Sequence, residues 1–292
     1  MKEMVKKHRL SERAFGFFLL SHPGPVLLHL IAVTVFALLA AWPHLIWTVL
    51  VLVVAAHAAM QLSIATLNDY CDRNLDAASK PGKPIPRGLV RPDEALIVGI
   101  LLIVVMVVLL LPLNPLALVI SLGYLLLGQG YNLGLKSTPL SGVVFALAMP
   151  LIPLYAFAGV GRIPPFLVWL VPLGCFLGIA LNLANALPDI QRDAAKGART
   201  LAVVLGVKRS FVACQLLLVL GATLIAVLTL TQLIPAHPWI IVTTLIFTCM
   251  AIGVMLVFFG PEKPFWTWKA HFYLVVLTCI VLTGGWLGGV LL

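Results

Sequence analysis

The chain has 292 residues, of which 62% are hydrophobic and only 10% are charged, and its net charge is +9. Its mean hydropathy is +1.11. Soluble domains carry about 25% charged residues, so this composition excludes a soluble globular protein. We predict an all-α, polytopic membrane protein that forms a single domain over residues 1–292. No soluble basic region is present to bind nucleic acid, so the positive charge predicts contact with anionic membrane lipids and with phosphate.

Apolar runs long enough to span a bilayer, about 20 residues each, predict nine transmembrane helices in a bundle around a central cavity. A basic, amphipathic segment, residues 1–23, precedes them and is expected to lie at the membrane interface. The predicted spans lie near residues 24–42, 44–67, 93–112, 115–135, 139–160, 165–187, 209–232, 238–259 and 270–290.

The distribution of charge predicts the orientation in the membrane. If the N-terminus is cytoplasmic, every Lys and Arg residue except Arg162 lies on the cytoplasmic side, as do all ten acidic residues. Cytoplasmic loops are enriched in Lys and Arg, so this orientation is the expected one. We therefore predict that the charged loops, and any site they form, face the cytoplasm at the plasma membrane.

Two motifs with the same spacing end the second and the sixth predicted helix. In the first, Asn68, Asp72 and Asp76 are separated by four residues each, so on a helix their side chains stack about 6 Å apart along one face. The second motif repeats this spacing at Asn185, Asp189 and Asp193. With Asp69, which is off the stripe, the two motifs contain half of the chain's ten acidic residues.

This clustering of acids predicts a bound cation. Two carboxylates about 6 Å apart repel each other by about 3 kcal/mol at an effective dielectric constant near 20. Magnesium prefers one or two carboxylates together with phosphate oxygens and water. We predict that Asp72, Asp76, Asp189 and Asp193 are catalytic and that these four and Asn68 and Asn185 bind Mg²⁺.

Cations flank both motifs. A proline-rich loop after the first motif carries Lys80, Lys83 and Arg87, and Lys136 follows the fourth predicted helix. Such a loop is suited to holding the oxygens of a diphosphate that the metal does not bind. The alternative is that these cations only fix the membrane topology. Candidate substrate-binding residues are Asn68, Asp69, Lys80, Lys83, Tyr131, Lys136, Asn185, Lys196 and Arg199.

A site with acids and cations at the membrane boundary and apolar helices behind it fits a molecule with an anionic head and an apolar tail, such as a prenyl diphosphate. Fixed positive charge would stabilise the departing diphosphate as the allylic C–O bond ionises. The dry interior of the bundle would protect the carbocation from water until an acceptor attacks it.

The motifs together resemble the UbiA superfamily of intramembrane prenyltransferases. The resemblance rests on both Asn/Asp motifs, on the Lys80-x-x-Lys83-Pro-x-Pro-x-Gly88 run, on Tyr131-x4-Lys136, and on the Gly197-x-x-Thr200-Leu sequence after the second motif. It implies a nine-helix bundle that opens laterally to lipid. It also implies magnesium diphosphate at the two motifs, with Lys136 and the loop cations on the phosphates.

The chain departs from the family pattern at three places. It has His22-Pro23 where many members have Arg-Pro, and Ser79-Lys80-Pro81 after the first motif where the haem-farnesylating and 4-hydroxybenzoate branches have Arg-Thr. It also has Arg87 before Gly88 where members often have Ser-Gly. The loop is more similar to the branches that prenylate glycerol phosphate ethers or chlorophyllide. The acceptor is therefore expected to be lipophilic or amphipathic, without further definition.

Two other functions stay open from the sequence. A terpene cyclase of the same superfamily would ionise the same diphosphate and capture the cation internally. A transporter for a divalent cation or an anionic lipid would use the acids as its binding site, although transporter sites usually lie near the bilayer midplane on broken helices. The motifs here are expected at the cytoplasmic ends of helices.

Overall fold

A computed structural model describes residues 10–261, 263 and 267–292 of the chain. Within these residues the regular structure is helical and no strand is present. The first nine residues of the predicted interfacial segment lie outside the described part. The α-helices are α1 (Leu10–Leu20), α2 (Pro23–Ala41), α3 (Trp47–Ser79), α4 (Pro92–Leu110), α5 (Pro115–Asn132), α6 (Ser141–Ala148), α7 (Leu151–Val160), α8 (Leu170–Ala186), α9 (Ile190–Ala195), α10 (Leu201–Leu230), α11 (Pro238–Phe258) and α12 (Thr267–Leu291).

The predicted fold class is confirmed. In the described part of the chain, eight segments are helical, long and apolar enough to cross a membrane. They correspond to eight of the nine predicted spans, with α6 and α7 together forming one of them. The remaining predicted span is α5, which has 18 residues and ends in the polar residues Gln129, Tyr131 and Asn132.

Helix α3 carries the first motif beyond the apolar region. It has 33 residues and is therefore about 50 Å long, whereas the hydrocarbon core of a bilayer is about 30 Å thick. If Trp47 lies near one boundary of that core, the opposite boundary falls close to Leu67. The motif begins at the next residue, Asn68, so the helix continues into the polar side without a break.

Two predicted spans are interrupted by proline or glycine. The span predicted at 139–160 divides into α6 and α7 at Met149 and Pro150. Proline lacks a backbone N–H and collides with the preceding turn, which explains the division. Helix α10 begins eight residues before the predicted 209 and contains a non-helical residue, Gly206, with φ 76°.

Close packing of α8 against α6 depends on small residues. A Cβ atom built on Gly178 would collide with the backbone of Phe145 and Ala146, and one built on Gly174 would lie 2.7 Å from Pro150. Helices in membranes associate through such small residues because they allow the backbones to approach. This contact fixes the helix that leads to the second motif against α6.

Helix α1 packs on the loop that follows the first motif. A Cβ on Gly16 would lie 3.0 Å from the Leu89 side chain, and Leu20 belongs to a small buried cluster with Ile85, Val90 and Ala95. Phe15 and Phe18 lie on the opposite side and are more than half exposed. The interfacial location of residues 1–23 stays a prediction.

Candidate active site

The two motifs line one polar cavity of about 490 Å³. Helix α3 contributes the first motif, and the chain after α8 contributes the second. The cavity also receives a tyrosine from the end of α5 and lysines from three separate loops. The sequence-predicted residues among its lining are Asn68, Asp72, Asp76, Lys80, Tyr131, Lys136, Asn185, Asp189, Asp193 and Lys196.

Lys136 joins the fourth predicted span to the first motif. It lies on a 3₁₀ turn, Leu135–Ser137, which follows Gly134 with φ 135°. Its Nζ donates to Asp72 Oδ1 at 2.6 Å and Oδ2 at 2.5 Å, and to Asn68 Oδ1 at 3.0 Å. Glycine is the residue that adopts positive φ without strain, so this turn is the local reason that the ammonium reaches α3.

Lys83 lies beside the cavity and not among its lining residues. Its Nζ donates to Asp69 Oδ1 and to Asp76 Oδ2, both at 2.7 Å. Burial acts to lower the pKa of the Lys83 ammonium, but the hydrogen bonds and charges of the two aspartates outweigh it, and the pKa is raised above its ordinary value. Asp69 also lies 3.0 Å from His22 Nε2 and is only 2% exposed.

The second motif does not continue one helix, in contrast to the expected stacking at intervals of four residues. Helix α8 ends at Ala186, a 3₁₀ turn covers Leu187–Asp189, and α9 begins at Ile190. Pro188 lies inside this turn and cannot continue the α-helical hydrogen bonds. All three motif residues nevertheless line the cavity, since Ala186, Leu187 and Asp189 keep right-handed helical backbone angles through the turn.

Polar partners differ between the residues of the second motif. Asp189 Oδ1 accepts from Arg192 at 2.6 Å. The side chains of Asn185 and Asp193 have no hydrogen bond or ion pair with any residue in the described part of the chain. Arg199 is absent from the cavity lining, and its backbone N–H donates to Ser137 O at 2.9 Å.

The described residues contain no group of three or more His, Cys, Asp or Glu side chains close enough to hold a metal ion by themselves. The chemistry of the lining is compatible with a magnesium ion that also binds phosphate. Such an ion needs only one or two carboxylates, and Asp193 and Asn185 offer unpaired oxygens on one wall. In the same cavity, Lys136 is the partner of the Asp72 carboxylate. A metal ion could replace Lys136 at Asp72, and a phosphate could replace Asp72 at Lys136.

Two further cavities adjoin the polar one through shared lining residues. A middle cavity of about 290 Å³ shares Asn68 and Tyr131 with the polar cavity. An inner cavity of about 140 Å³ is lined mainly by apolar side chains of α2, α6, α7, α8 and α12. It shares Pro25, His29, Phe145 and Met149 with the middle one. The polar cavity is therefore connected by shared walls to an apolar interior.

Some residues of these cavities were not predicted as site residues. Ser141 and Asn182 line the polar cavity, and Ser141 Oγ lies 3.4 Å from Asn182 Oδ1. Asn182 precedes Asn185 by three residues, a helical spacing that could have indicated it. His29 and Tyr124 line the middle cavity, and their sequence positions show no relation to the motifs.

The fold and the cavities define an all-helical membrane protein with a polar site at one end of its bundle. The chain belongs to the UbiA prenyltransferase family, whose model matches residues 29–277. The resemblance predicted from the motifs is thereby confirmed.

Similar proteins carry prenyltransferase names. A digeranylgeranylglyceryl phosphate synthase of Natronomonas pharaonis is 36% identical over 185 residues, which cover 62% of this chain and 64% of that protein. A 4-hydroxybenzoate octaprenyltransferase of Aeromonas hydrophila is 32% identical over 219 residues, or 69% and 75% of the two chains. The chain thus spans less than two thirds of the first relative.

Solved structures share the fold over nearly the whole chain. A digeranylgeranylglyceryl phosphate synthase structure has a TM-score of 0.73 at 20% identity and covers 96% of this chain and 100% of its own. A UbiA homolog from Archaeoglobus fulgidus, solved with GPP and Mg²⁺ bound, has a TM-score of 0.66 at 19% identity and covers 91% and 99%.

Proposed function

We propose that this protein is a magnesium-dependent prenyltransferase that joins the prenyl group of an isoprenoid diphosphate to a lipophilic or amphipathic acceptor and releases diphosphate. The proposal rests mainly on one observation: both Asn/Asp motifs line one polar cavity, and this cavity adjoins, through shared lining residues, cavities with largely apolar walls. The prenyltransferase names of the relatives support it.

The polar cavity would hold the diphosphate head. Lys80, Lys136 and Lys196 line it, and each can donate to phosphate oxygens. Asp72, Asp76, Asp189 and Asp193, with Asn68 and Asn185, would hold Mg²⁺ against the same phosphates. When bound, the metal neutralises negative charge on the leaving group. Asp69 and Lys83 support Asp76 from outside the lining, and a role for Arg199 would need a movement of its side chain into the cavity.

The reactive carbon would lie where the polar and middle cavities meet. Tyr131 lines both, and its ring packs at 5.6 Å from that of Phe145. Aromatic faces attract positive charge, so this wall stabilises the allylic cation. The bond from C1 to the diphosphate oxygen breaks with its electron pair on diphosphate. C1 then bonds to the acceptor, and the proton displaced from the acceptor leaves with diphosphate.

The membrane surroundings complete the proposal. The prenyl tail would lie in the inner cavity, where apolar walls exclude water. The charge distribution supports a cytoplasmic location for the polar cavity at the plasma membrane. An exposed position, Gly82, allows a test: a cysteine placed there should resist a membrane-impermeant maleimide in intact cells, and labelling from outside would contradict this orientation.

The direct test is transfer by purified protein in detergent, with radiolabelled geranylgeranyl diphosphate as donor. We expect diphosphate release that requires Mg²⁺ and a prenylated product that appears only with an acceptor. Formation of a cyclic hydrocarbon in the absence of an acceptor would support the cyclase alternative and contradict prenyl transfer. Absence of any diphosphate release would leave the transporter alternative and contradict the proposal.

A further inference from the structure

Helix α8 passes from the apolar interior to the polar site at Asn182. Its neighbour Leu181 lines the inner cavity, whereas Asn182 and Asn185 line the polar cavity. Asn182 lies within the helix and is only 2% exposed. It precedes Asn185 by three residues, which is about 4.5 Å along the helix axis. The Asn182 side chain therefore lies deeper in the bundle than the second motif, on the boundary between the polar and the apolar environment.

Two hydrogen bonds fix the orientation of the Asn182 amide. The backbone N–H of Leu201 donates to Ser141 Oγ at 3.3 Å, and Ser141 Oγ in turn donates to Asn182 Oδ1 at 3.4 Å. Ser141 is 1% exposed, so this arrangement is shielded from water. Because Asn182 Oδ1 accepts from the serine hydroxyl, the Nδ2 atom of the same amide is directed away from Ser141.

The Nδ2 atom of Asn182 has two N–H donors, and neither has a partner in the described part of the chain. The one hydrogen bond of this side chain is the one from Ser141 to Oδ1. Nδ2 is not sealed in the protein interior, and Asn182 lines the polar cavity. Buried polar groups are normally hydrogen-bonded, and an asparagine in a membrane helix normally bonds to a neighbouring helix. Unused donors on this wall therefore indicate a ligand that accepts hydrogen bonds.

The packing of α8 on α6 shows which part of a prenyl diphosphate would lie beside Asn182. Gly178 approaches Phe145 so closely that a Cβ atom on it would collide with the Phe145 backbone. The Phe145 ring packs against Tyr131 at 5.6 Å, where the proposed function has the reactive carbon C1. Asn182 follows Gly178 by four residues, or about 6 Å, toward the second motif. The α-phosphate, which one oxygen joins to C1, would lie at this level.

We propose that Asn182 is a further catalytic residue, whose Nδ2 donates to the oxygen that joins C1 to the α-phosphate. This inference rests on the proposed function. As the C1–O bond breaks, its electron pair remains on that oxygen, and negative charge develops there. A neutral donor that is already in place stabilises such charge without reorganisation. Asn182 gains and loses no proton, and its Oδ1 stays with Ser141 and is not available to the metal.

Two substitutions of similar size test the donor. Asn182→Leu removes both N–H groups, and Asn182→Asp keeps an acceptor but replaces the donors by a negative charge. We expect each to lower the single-turnover rate of diphosphate release from geranylgeranyl diphosphate and Mg²⁺ by about a hundredfold, as the loss of one donor at a developing oxyanion does. 4-Hydroxybenzoate and a glycerol phosphate ether serve as acceptor probes. An Asn182→Asp protein as active as the wild type would show that the oxygen of this residue faces the site, and would overturn the inference.

Binding of an unreactive donor distinguishes catalysis from a structural role. Geranylgeranyl S-thiolodiphosphate has sulfur, a weak acceptor, in place of the oxygen that joins C1 to phosphorus. In the presence of Mg²⁺, its Kd should therefore change by less than about threefold in Asn182→Leu. A rise in Kd as large as the fall in rate would contradict a role in the breaking of the C1–O bond.

Gln215→Met is the matched control for the loss of a buried amide. Gln215 is 5% exposed and lies on α10, where its Nε2 is 3.1 Å from His271 Nε2, and it lies outside the lining of the three cavities. This variant should keep the wild-type rate and Kd. Ser141→Ala removes the hydroxyl that orients the Asn182 amide, and its rate should lie between those of the wild type and Asn182→Leu.

Failure of this inference can be told from failure of the proposed function. If Asn182→Leu keeps the wild-type rate, or if Gln215→Met loses as much, Asn182 is not catalytic while Mg²⁺-dependent transfer still stands. Melting temperatures are measured in the same detergent, and a loss of rate that only follows a fall in melting temperature would also contradict the inference. If the wild type releases no diphosphate with either acceptor probe, the proposed function fails and the inference fails with it.

Discussion

Lys136 holds the Asp72 carboxylate through both of its oxygens, although the same carboxylate is proposed to bind magnesium. In this arrangement the Lys136 ammonium, which follows α5, supplies the positive charge beside the first motif. In the proposed function, the phosphates of the donor would offer Lys136 a new partner and so release Asp72. Charge-assisted hydrogen bonds of this kind contribute about 1.5–3 kcal/mol.

Lys136→Ala is therefore expected to weaken donor binding and to leave the dependence on metal unchanged. The donor KM should rise roughly 10- to 150-fold, while activity should still require Mg²⁺. Lys208→Ala, at an exposed lysine on α10, is the control and should change neither. Steady-state diphosphate release at several donor concentrations measures both, and an unchanged donor KM in Lys136→Ala would remove Lys136 from the phosphate site.

Lys83 has a different role because it binds two buried aspartates. Lys83→Met leaves Asp69 and Asp76 without their cation, at 2% and 3% exposure. Removing one partner of a buried ion pair lowers the free energy of unfolding by about 3–5 kcal/mol. We therefore expect Lys83→Met to lower the melting temperature measured in detergent. Arg87→Met, at an exposed position of the same loop, should leave the melting temperature close to that of the wild type.

The pH dependence of this loss follows from the sign of the shift. The pKa of Lys83 is raised in the folded protein, so its contribution is complete below the unfolded-state pKa of about 10.4 and is lost only as pH rises through the folded value. The difference in melting temperature between wild type and Lys83→Met should stay constant from about pH 7 to about pH 9. A difference that closes within this window would show that another group titrates at the loop.

Site residues that recur at a regular spacing could be predicted from the sequence, whereas residues brought together only by tertiary packing could not. Asn68, Asp72 and Asp76 follow from the helical period because α3 continues through them. The contacts of Lys83 could not be predicted, because they depend on how the proline-rich loop folds back and brings the ammonium to α3. His29 and Tyr124 belong to different helices, and only tertiary packing places both beside Gln61.

At the scale of elements, the second motif shows how a spacing can be right while the helix is not continuous. The spacing predicted Asn185, Asp189 and Asp193 on one helical face, but Pro188 between them cannot continue the α-helical hydrogen bonds. The structure resolves this conflict with a 3₁₀ turn before α9. The motif residues still line one cavity, because the backbone keeps right-handed helical angles on both sides of Pro188.

The approach of α8 to α6 gives a prediction of its own. Gly178→Ala places a Cβ against the backbone of Phe145, and overpacking of this kind costs about 1–3 kcal/mol. Gly253→Ala is the matched control on α11, where a Cβ meets no atom within 4 Å, and helix propensity favours alanine there by about 1 kcal/mol. Thermal unfolding in detergent should lower the midpoint for the first variant only. Equal midpoints would mean that α6 moves aside without cost.

At the scale of the whole molecule, three cavities share lining residues in sequence, and in the proposed function they would hold the head, the reactive carbon and the tail of the donor in that order. The charges in the sequence predicted that both motifs belong to one site, and both line one cavity. Hydropathy predicted the fold class, and eight of its nine spans correspond to described helices long and apolar enough to cross a membrane. It did not predict which helices line the interior, because apolar residues face both lipid and cavity in a membrane bundle. Helices α2 and α12 line the inner cavity although neither carries a motif.

Donor length provides a test of this order. Ala32 lines the inner cavity, so Ala32→Leu should lower kcat/KM for geranylgeranyl diphosphate relative to geranyl diphosphate. Each methylene that loses its burial should change the ratio about fourfold. Ala270→Leu, at an exposed position of α12, should keep the wild-type ratio. An unchanged ratio in Ala32→Leu would place the tail outside this cavity.

The central claim is that the two motifs, which lie on α3 and after α8, act on one diphosphate. Asp72 and Asp189 line the same polar cavity from two separate segments of the chain, and a leaving group held by one motif only cannot have its developing charge neutralised. Effects of residues that act as one unit do not add. Asp93→Ala, which removes an exposed acid paired with Arg91, serves as the control outside the site.

The decisive measurement is diphosphate release by purified Asp72→Ala, Asp189→Ala and double-variant proteins across a magnesium titration. We expect each single variant to lose most of its activity at every magnesium concentration, and the double variant to be no more than a few-fold worse than the weaker single variant. Losses that multiply in the double variant would instead show two independent sites and contradict the single-site account.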